Sequence, residues 1–121
     1  MKQTYQTGLT GERDAEEYLC RKGMICLERR CRTPAGEIDL VMRDGETVVF
    51  VEVKTRRTGA AGSGLMAVDA RKQRRVARGA MQYLMSRGLL SVPVRFDVVE
   101  ISAEGILHIP DAFQPGGMFF G

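Results

Sequence analysis

The sequence predicts an α/β domain in which a mixed central β-sheet is flanked by helices, in the order α-β-β-β-α-β with a short edge strand after it. Three observations carry that prediction. Two segments place apolar residues at helical spacing, three valine- and isoleucine-bearing runs of strand length lie between them, and a glycine follows each helical segment as a stop. With 121 residues, 44% hydrophobic and 27% charged, the chain is sized for one domain over residues 1–121, and residues 110–121 read as a tail.

The first helix is expected from about Thr10 to Lys22, with Thr10 as candidate N-cap, Gly23 as stop, and Ala15, Tyr18 and Leu19 facing the core. Met24–Thr33 reads as a strand closed by Thr33-Pro34-Ala35-Gly36. Glu37–Arg43 reads as a second, ending at the hairpin signal Asp44-Gly45. Thr47–Thr55, dense in valine and apolar on both faces at its start, is the central strand. A glycine-rich loop from Thr58 to Gly64 has the spacing GxxGxG, which matches no nucleotide-binding signature and reads as a connection or a flap. The second helix is expected from Val68 to Arg87, with Val76, Ala80, Tyr83 and Leu84 buried and Gly88 as stop. Val94–Ile101 and Gly105–Ile109 complete the sheet. Phe113, Phe119 and Phe120, set among Pro115, Gly116 and Gly117, suggest a tail that docks on the domain or on a partner subunit.

Composition narrows the function. No run approaches the roughly 20 apolar residues of a membrane span, and Met1–Thr10 is polar, so no membrane partner and a cytoplasmic location are expected. Cys20, Cys26 and Cys31 lack CxxC spacing, which argues for reduced thiols and against a zinc site. A single histidine, His108, is expected at the surface or on an edge strand; Asp97, among apolar neighbours, is expected as an ordinary strand position. The net charge of +3 conceals an uneven distribution. Residues 54–78 carry eight basic side chains against Asp69 alone, whereas the segments before and after are each slightly acidic. Such a block suits a polyanion; a solvated arginine-rich helix face is the alternative.

Acidic residues in the two most strand-like segments point to chemistry. Asp39 lies between Ile38 and Leu40, while Glu52 and Lys54 share a face at the end of the central strand. A turn at Asp44-Gly45 sets Asp39 opposite Phe50 and diagonal to Glu52; a turn at Gly45-Glu46 sets it opposite Glu52. Both registers put Asp39, Glu52 and Lys54 on one face, within about 5–8 Å. Two carboxylates so close repel, and a divalent cation with hard oxygen ligands, Mg²⁺ or Mn²⁺, relieves them. Asp39, Glu52 and Lys54 are therefore the candidate catalytic residues, with Lys54 placed to orient water or stabilise charge on a phosphate. Arg56, Arg57, Lys72 and Arg75 follow as candidate contacts to phosphate oxygens. The alternative is a Glu52–Lys54 surface pair with Asp39 solvated, against which the flanking valines argue.

At these residues the chain resembles the PD-(D/E)xK nuclease superfamily. Ile38-Asp39 stands where its Pro-Asp pair sits, and Glu52-Val53-Lys54 follows after a hairpin. It resembles more closely the small bacterial YraN-like proteins, whose fold is similar to that of archaeal Holliday-junction resolvases. The likeness runs through Gly11-Glu12, Gly36-Glu37-Ile38-Asp39-Leu40, Phe50-Val51-Glu52-Val53-Lys54, Lys72 and Arg95-Phe96-Asp97-Val98-Val99. One departure is Glu28-Arg29-Arg30, which has arginine where the YraN-like pattern has asparagine. The resemblance implies a restriction-endonuclease-like fold, Mg²⁺- or Mn²⁺-dependent phosphodiester cleavage and a homodimer. It also implies that Glu12 joins Asp39 and Glu52 as a metal ligand, although Glu12 is equally suited to favouring its helix N-terminus. Glu37, two residues before Asp39, is either a further ligand or turned to solvent.

The leading expectation is an endonuclease on branched, damaged or single-stranded nucleic acid, DNA before RNA. A nucleic-acid-binding module without catalysis is the main rival, and an arginine helix docking an acidic protein is the third.

Overall fold

The protein is described from a computed structural model, covering residues 4–57, 59–63 and 68–115, with backbone alone for residues 4–10. Helix α1 (Thr4–Arg21) precedes a meander of β1 (Ile25–Thr33), β2 (Gly36–Asp44) and β3 (Thr47–Thr55); helix α2 (Ala70–Arg87), β4 (Val94–Ser102) and β5 (Gly105–Ile109) follow. The sheet order is β1-β2-β3-β4-β5, antiparallel throughout except for the parallel β3–β4 pair that α2 bridges. This is the expected mixed sheet with β3 at its centre. Among the described residues no helix is long and apolar enough to cross a membrane.

Element boundaries follow local chemistry, with two corrections. α1 begins at Thr4, so Thr10 lies inside the helix and is not its N-cap; no proline interrupts the preceding turn, and extending a formed helix is cheap. α2 begins at Ala70 rather than Val68, because the Asp69 side chain accepts from the Lys72 N–H and fixes the cap. Gly88, at φ 69°, ends α2 as expected. Thr58 and Gly64 of the glycine-rich loop, together with Phe119 and Phe120, lie outside the described residues.

Each helix covers one face of the sheet. Ala15 and Leu19 of α1 pack on Leu40, Met42, Val49, Val51 and Val99. Val76, Ala80, Tyr83 and Leu84 of α2 pack on Phe50, Phe96 and Val98. Phe50 meets the Tyr83 ring edge-on at 5.8 Å and stacks on Phe96 at 5.6 Å; Phe113 stacks on Phe96 in turn, at 5.4 Å. The tail thus begins by docking on the α2 face, as its aromatic residues suggested.

Strict alternation fails at two places. At Leu27 the register of β1 with β2 shifts, so Cys26 packs on the α1 side while Glu28 pairs with Arg87 of α2. Leu40 and Met42 face α1 whereas Ile38 and Val41 face α2, so the phase of β2 slips at Asp39. On β1, Arg29 and Arg30 both reach α1, through Glu16 and Glu12, while Cys31 packs on the α2 side. The register sets Arg29 opposite Leu40 and Cys31 opposite Ile38, with Arg30 and Asp39 lying between these pairs. Arg30 has φ 48°, a conformation uncommon for a residue with a Cβ.

Asp97 differs from expectation in its burial, whereas His108 lies on the edge strand as expected. Asp97 is wholly buried. It accepts from Arg95 Nε at 2.9 Å, from the Asp111 N–H at 2.9 Å and from His108 Nε2 at 2.7 Å. Lys22 Nζ lies 2.9 Å from His108 Nδ1 and has only protons to donate, so Nδ1 accepts and Nε2 carries the proton given to Asp97. His108 is on the edge strand, but its side chain is buried as a link between α1 and β4. Burial pushes the Asp97 carboxyl up, yet the hydrogen bonds from His108, Arg95 and the Asp111 N–H outweigh it and hold the carboxyl below its ordinary value. Asp97→Ala should therefore cost about 3–5 kcal/mol, because it leaves buried donors without an acceptor; an unchanged thermal midpoint would refute that role.

Candidate functional site

The β2–β3 hairpin turns at Gly45-Glu46, with Gly45 at φ 63°, which gives the second of the two expected registers. Pairing runs from Asp44 opposite Thr47 to Leu40 opposite Val51 and then stops. Beyond that point the strands part, and the Val53 N–H donates to Asp39 Oδ2 at 2.8 Å instead of to a main-chain carbonyl. Asp39 therefore lies at the mouth between two strands. Continuing the register sets it opposite Glu52, and alternation from Val41 and Phe50 leads both towards the α2 side.

Glu52 is 2% exposed, and its Oε2 has no hydrogen-bond partner. Lys72 Nζ, from the first turn of α2, is 3.4 Å from Oε1. Burial, then repulsion from Asp39, push the Glu52 carboxyl up to about 7; Lys72 and Lys54 pull the other way and do not cancel them. Asp39 is also raised, chiefly by burial, against the opposing effects of the Val53 N–H, Lys54 and Lys72. The chain thus brings together Asp39, Glu52, Lys54 and Lys72: two carboxylates reluctant to be charged and two lysines that favour the charge.

Two acidic neighbours are held by arginines. Glu12 lies close enough for Asp39 to raise its carboxyl, after burial as the larger cause, yet its Oε1 accepts from Arg30 Nε at 3.0 Å. Glu37 is exposed and pairs with Arg32 at 3.4 Å, the solvent-facing option of the two weighed for it. Among the described residues no three His, Cys, Asp or Glu side chains gather as a metal-holding group. Glu12, expected to join Asp39 and Glu52, is engaged by Arg30 here while still close enough to feel Asp39.

The basic residues divide. Arg56 is 8% exposed, and its guanidinium donates to Glu100, Glu104, Ser102 and the Gly59 carbonyl. Glu100 also accepts from the Gly62 N–H at 3.0 Å, so this buried pair pins the glycine-rich loop to β4. Arg56 is a structural clamp, which corrects its assignment to nucleic acid. Lys72 is engaged with Glu52. Arg57 and Arg75 are exposed, as are Arg71, Arg74 and Arg78 on the same helix as Arg75. Arg71, Arg74, Arg75 and Arg78 recur at the three- and four-residue spacing of one helix face.

Sequence reasoning missed the Arg56–Glu100 clamp and the Lys72–Glu52 contact. The first left a signal, since Glu100 follows Phe96 and Val98 at the two-residue period of inward-facing positions. The second left none, because it depends on how α2 docks. Two clefts, of about 390 Å³ beside Glu12, Arg29 and Arg30 and about 530 Å³ beside Cys31, Tyr83 and Met85, are lined by none of Asp39, Glu52 and Lys54. Cys31 is buried, and its thiol is pushed up to about 11, first by burial, so it is a poor nucleophile.

Comparison with known proteins gives a uniform result. Residues 11–101 match the family described as Uncharacterised protein family UPF0102. A UPF0102 protein of Geobacter sulfurreducens is 44% identical over 112 residues, covering 88% of each chain. Another, of Syntrophotalea carbinolica, is 44% identical over 121 residues, covering 94% of this chain and 98% of its own. A third, of Alkalilimnicola ehrlichii, is 45% identical over 113 residues.

The raised Glu52 carboxyl has a signed consequence for stability. The folded state binds its proton more tightly than the unfolded chain, so the contribution is complete below about pH 4.5 and is lost as pH rises through about 7. In chelator-treated protein, Glu52→Gln should exceed wild type in stability by on the order of 2 kcal/mol at about pH 8 and match it near pH 5. Denaturant unfolding at both pH values tests this, and an equal difference at each would contradict it.

Proposed function

The chain belongs to the UPF0102 family, matched over residues 11–101; from the chemistry of the site we propose that it is a divalent-metal-dependent nuclease. The observation that carries the reading is the pairing of half-buried Asp39 with buried Glu52 at a parting of strands, with Glu52 Oε2 lacking any partner. A buried acceptor left unsatisfied is costly, and two adjacent carboxylates add repulsion to that cost. Both are relieved by one divalent cation, and carboxylate oxygens are the donors that Mg²⁺ and Mn²⁺ prefer.

Asp39 and Glu52 would hold such an ion, which when bound supplies Lewis-acid polarisation of a phosphoryl oxygen and a more acidic water. The chain's own residues do the rest. The Val53 N–H fixes the Asp39 carboxylate through Oδ2. Lys54, which favours the charged form of both acids, is placed to steady negative charge growing on a phosphate. Arg71, Arg74, Arg75 and Arg78 extend away from the site along α2, and Arg57 stands just past β3; contacts from them would position a phosphate backbone without reading sequence. DNA with a branch, a flap or single-stranded character is the substrate class to test first.

Glu12, held by Arg30 rather than joined to the pair, favours one second reading: a nucleic-acid-binding module with a nuclease-like fold and no cleavage. Titration of Mn²⁺ into wild type and Asp39→Asn, with a cleavage-resistant DNA present, separates the two. Binding that weakens at least about tenfold in the variant, a loss of about 1.4 kcal/mol, supports the nuclease. DNA binding with no Mn²⁺ uptake by wild type supports the module. Under either reading Arg75→Gln should lower the salt dependence of DNA binding by about one phosphate contact, a change of about 0.9 in the log–log slope; an unaltered slope would remove Arg75 from the interface.

A further inference from the structure

We propose that Lys72 is the site's resident cation: it occupies Glu52 while no metal is bound, and it moves from Glu52 to a phosphate oxygen of the substrate once a divalent cation takes the carboxylate pair. This rests on the reading of Asp39 and Glu52 as the metal-holding pair and adds an exchange step to it.

Four observations support the exchange. Lys72 Nζ stands 3.4 Å from Glu52 Oε1, beyond the roughly 2.7–2.9 Å of a tight charge-assisted hydrogen bond, so the contact is looser than such a bond. The contact engages one oxygen only, and Oε2 of the same buried carboxylate remains without a partner. The Lys72 side chain is 35% exposed on a flexible four-carbon stem, so its head has an outward route. Its main chain does not need to follow, because the Lys72 N–H is held by Asp69 at 2.9 Å in the helix cap.

Lys72 is also the one member of the cluster contributed by a helix rather than by β2 or β3. A divalent ion bound to both carboxylates would repel an ammonium this close to one of them. The exposed arginines Arg71, Arg74, Arg75 and Arg78 lie on the same helix, where a bound phosphate backbone would lie. Lys54, on the same strand as Glu52 and one position removed on its face, has no comparable exchange to make.

The test uses the full chain without nucleic acid, and Mn²⁺ as probe. Calorimetric titration at about pH 8 keeps Glu52, raised to about 7, largely ionised. Lys72→Met should bind Mn²⁺ about tenfold more tightly than wild type, equivalent to about 1.4 kcal/mol. In chelator its thermal midpoint should fall by a few degrees, and Mn²⁺ should restore it by more than it raises wild type. Lys72→Arg, which keeps the charge, should bind Mn²⁺ much as wild type does, and Lys72→Gln should repeat the Met result without its apolar end. Equal or weaker Mn²⁺ binding by both neutral variants, with wild type binding normally, overturns the exchange and leaves the metal pair standing. No Mn²⁺ binding by wild type or by any variant overturns the metal pair itself, and this proposal with it.

Discussion

The main-chain N–H of Val53 must find an acceptor, and the one it finds is a carboxylate. A strand at the centre of a sheet ordinarily pairs its amides with the neighbouring backbone. Here β2 leaves β3 after Leu40 and Val51, and Asp39 fills the gap through Oδ2. That bond fixes where one carboxylate of the candidate site sits and ties its position to the strand that bears the other. The parting of the strands and the acid that bridges it are one feature, and both lie at the phase slip of Arg30 and Asp39.

The rest of the molecule separates apolar support from charged chemistry. Below the parting, each face of the sheet is apolar and carries one helix. Beyond it, the same strands bear Asp39, Glu52, Lys54 and Glu100, and arginines or lysines from other elements meet most of the acids. Arg56 answers Glu100, Arg30 answers Glu12 and Arg32 answers Glu37. Glu52 is the exception: it is almost fully buried, yet its one ion pair leaves an oxygen unsatisfied. The other acids make sense as structure, and this one makes sense as a place for a ligand.

Most of the architecture was legible because period and punctuation agreed. The β3 segment Thr47–Thr55 and the β5 segment Gly105–Ile109 have the boundaries that valine density and flanking turns predict, and Gly23 and Gly88 close the helices. The group Asp39, Glu52 and Lys54 was legible because the hairpin register and the alternation of β2 from Met42 to Leu40 both lead Asp39 towards Glu52. The slip that puts Ile38 on the α2 side left no signal in the pattern. What pattern could not supply were contacts between elements distant in the chain. Lys72 and Arg56 look alike in a basic segment, but only the docking of α2 and β4 decides that one meets Glu52 and the other disappears against Glu100. The same limit hid Asp97, whose apolar flanks gave no sign of the His108–Lys22 link across the sheet.

The parallel pairing of β3 with β4 has a consequence for the order in which the molecule assembles. β1, β2 and β3 are joined by tight turns and close locally, whereas β4 reaches β3 only after the chain has passed through the loop and α2. Contacts of large sequence separation close a longer loop and form more slowly. Asp39 and Glu52 can therefore come together in the early meander while still wet, and the water is removed when α2 and β4 settle over them. The electrostatic penalty of the site then falls on the late step. A slow refolding phase whose rate follows the charge on Glu52 would be its signature.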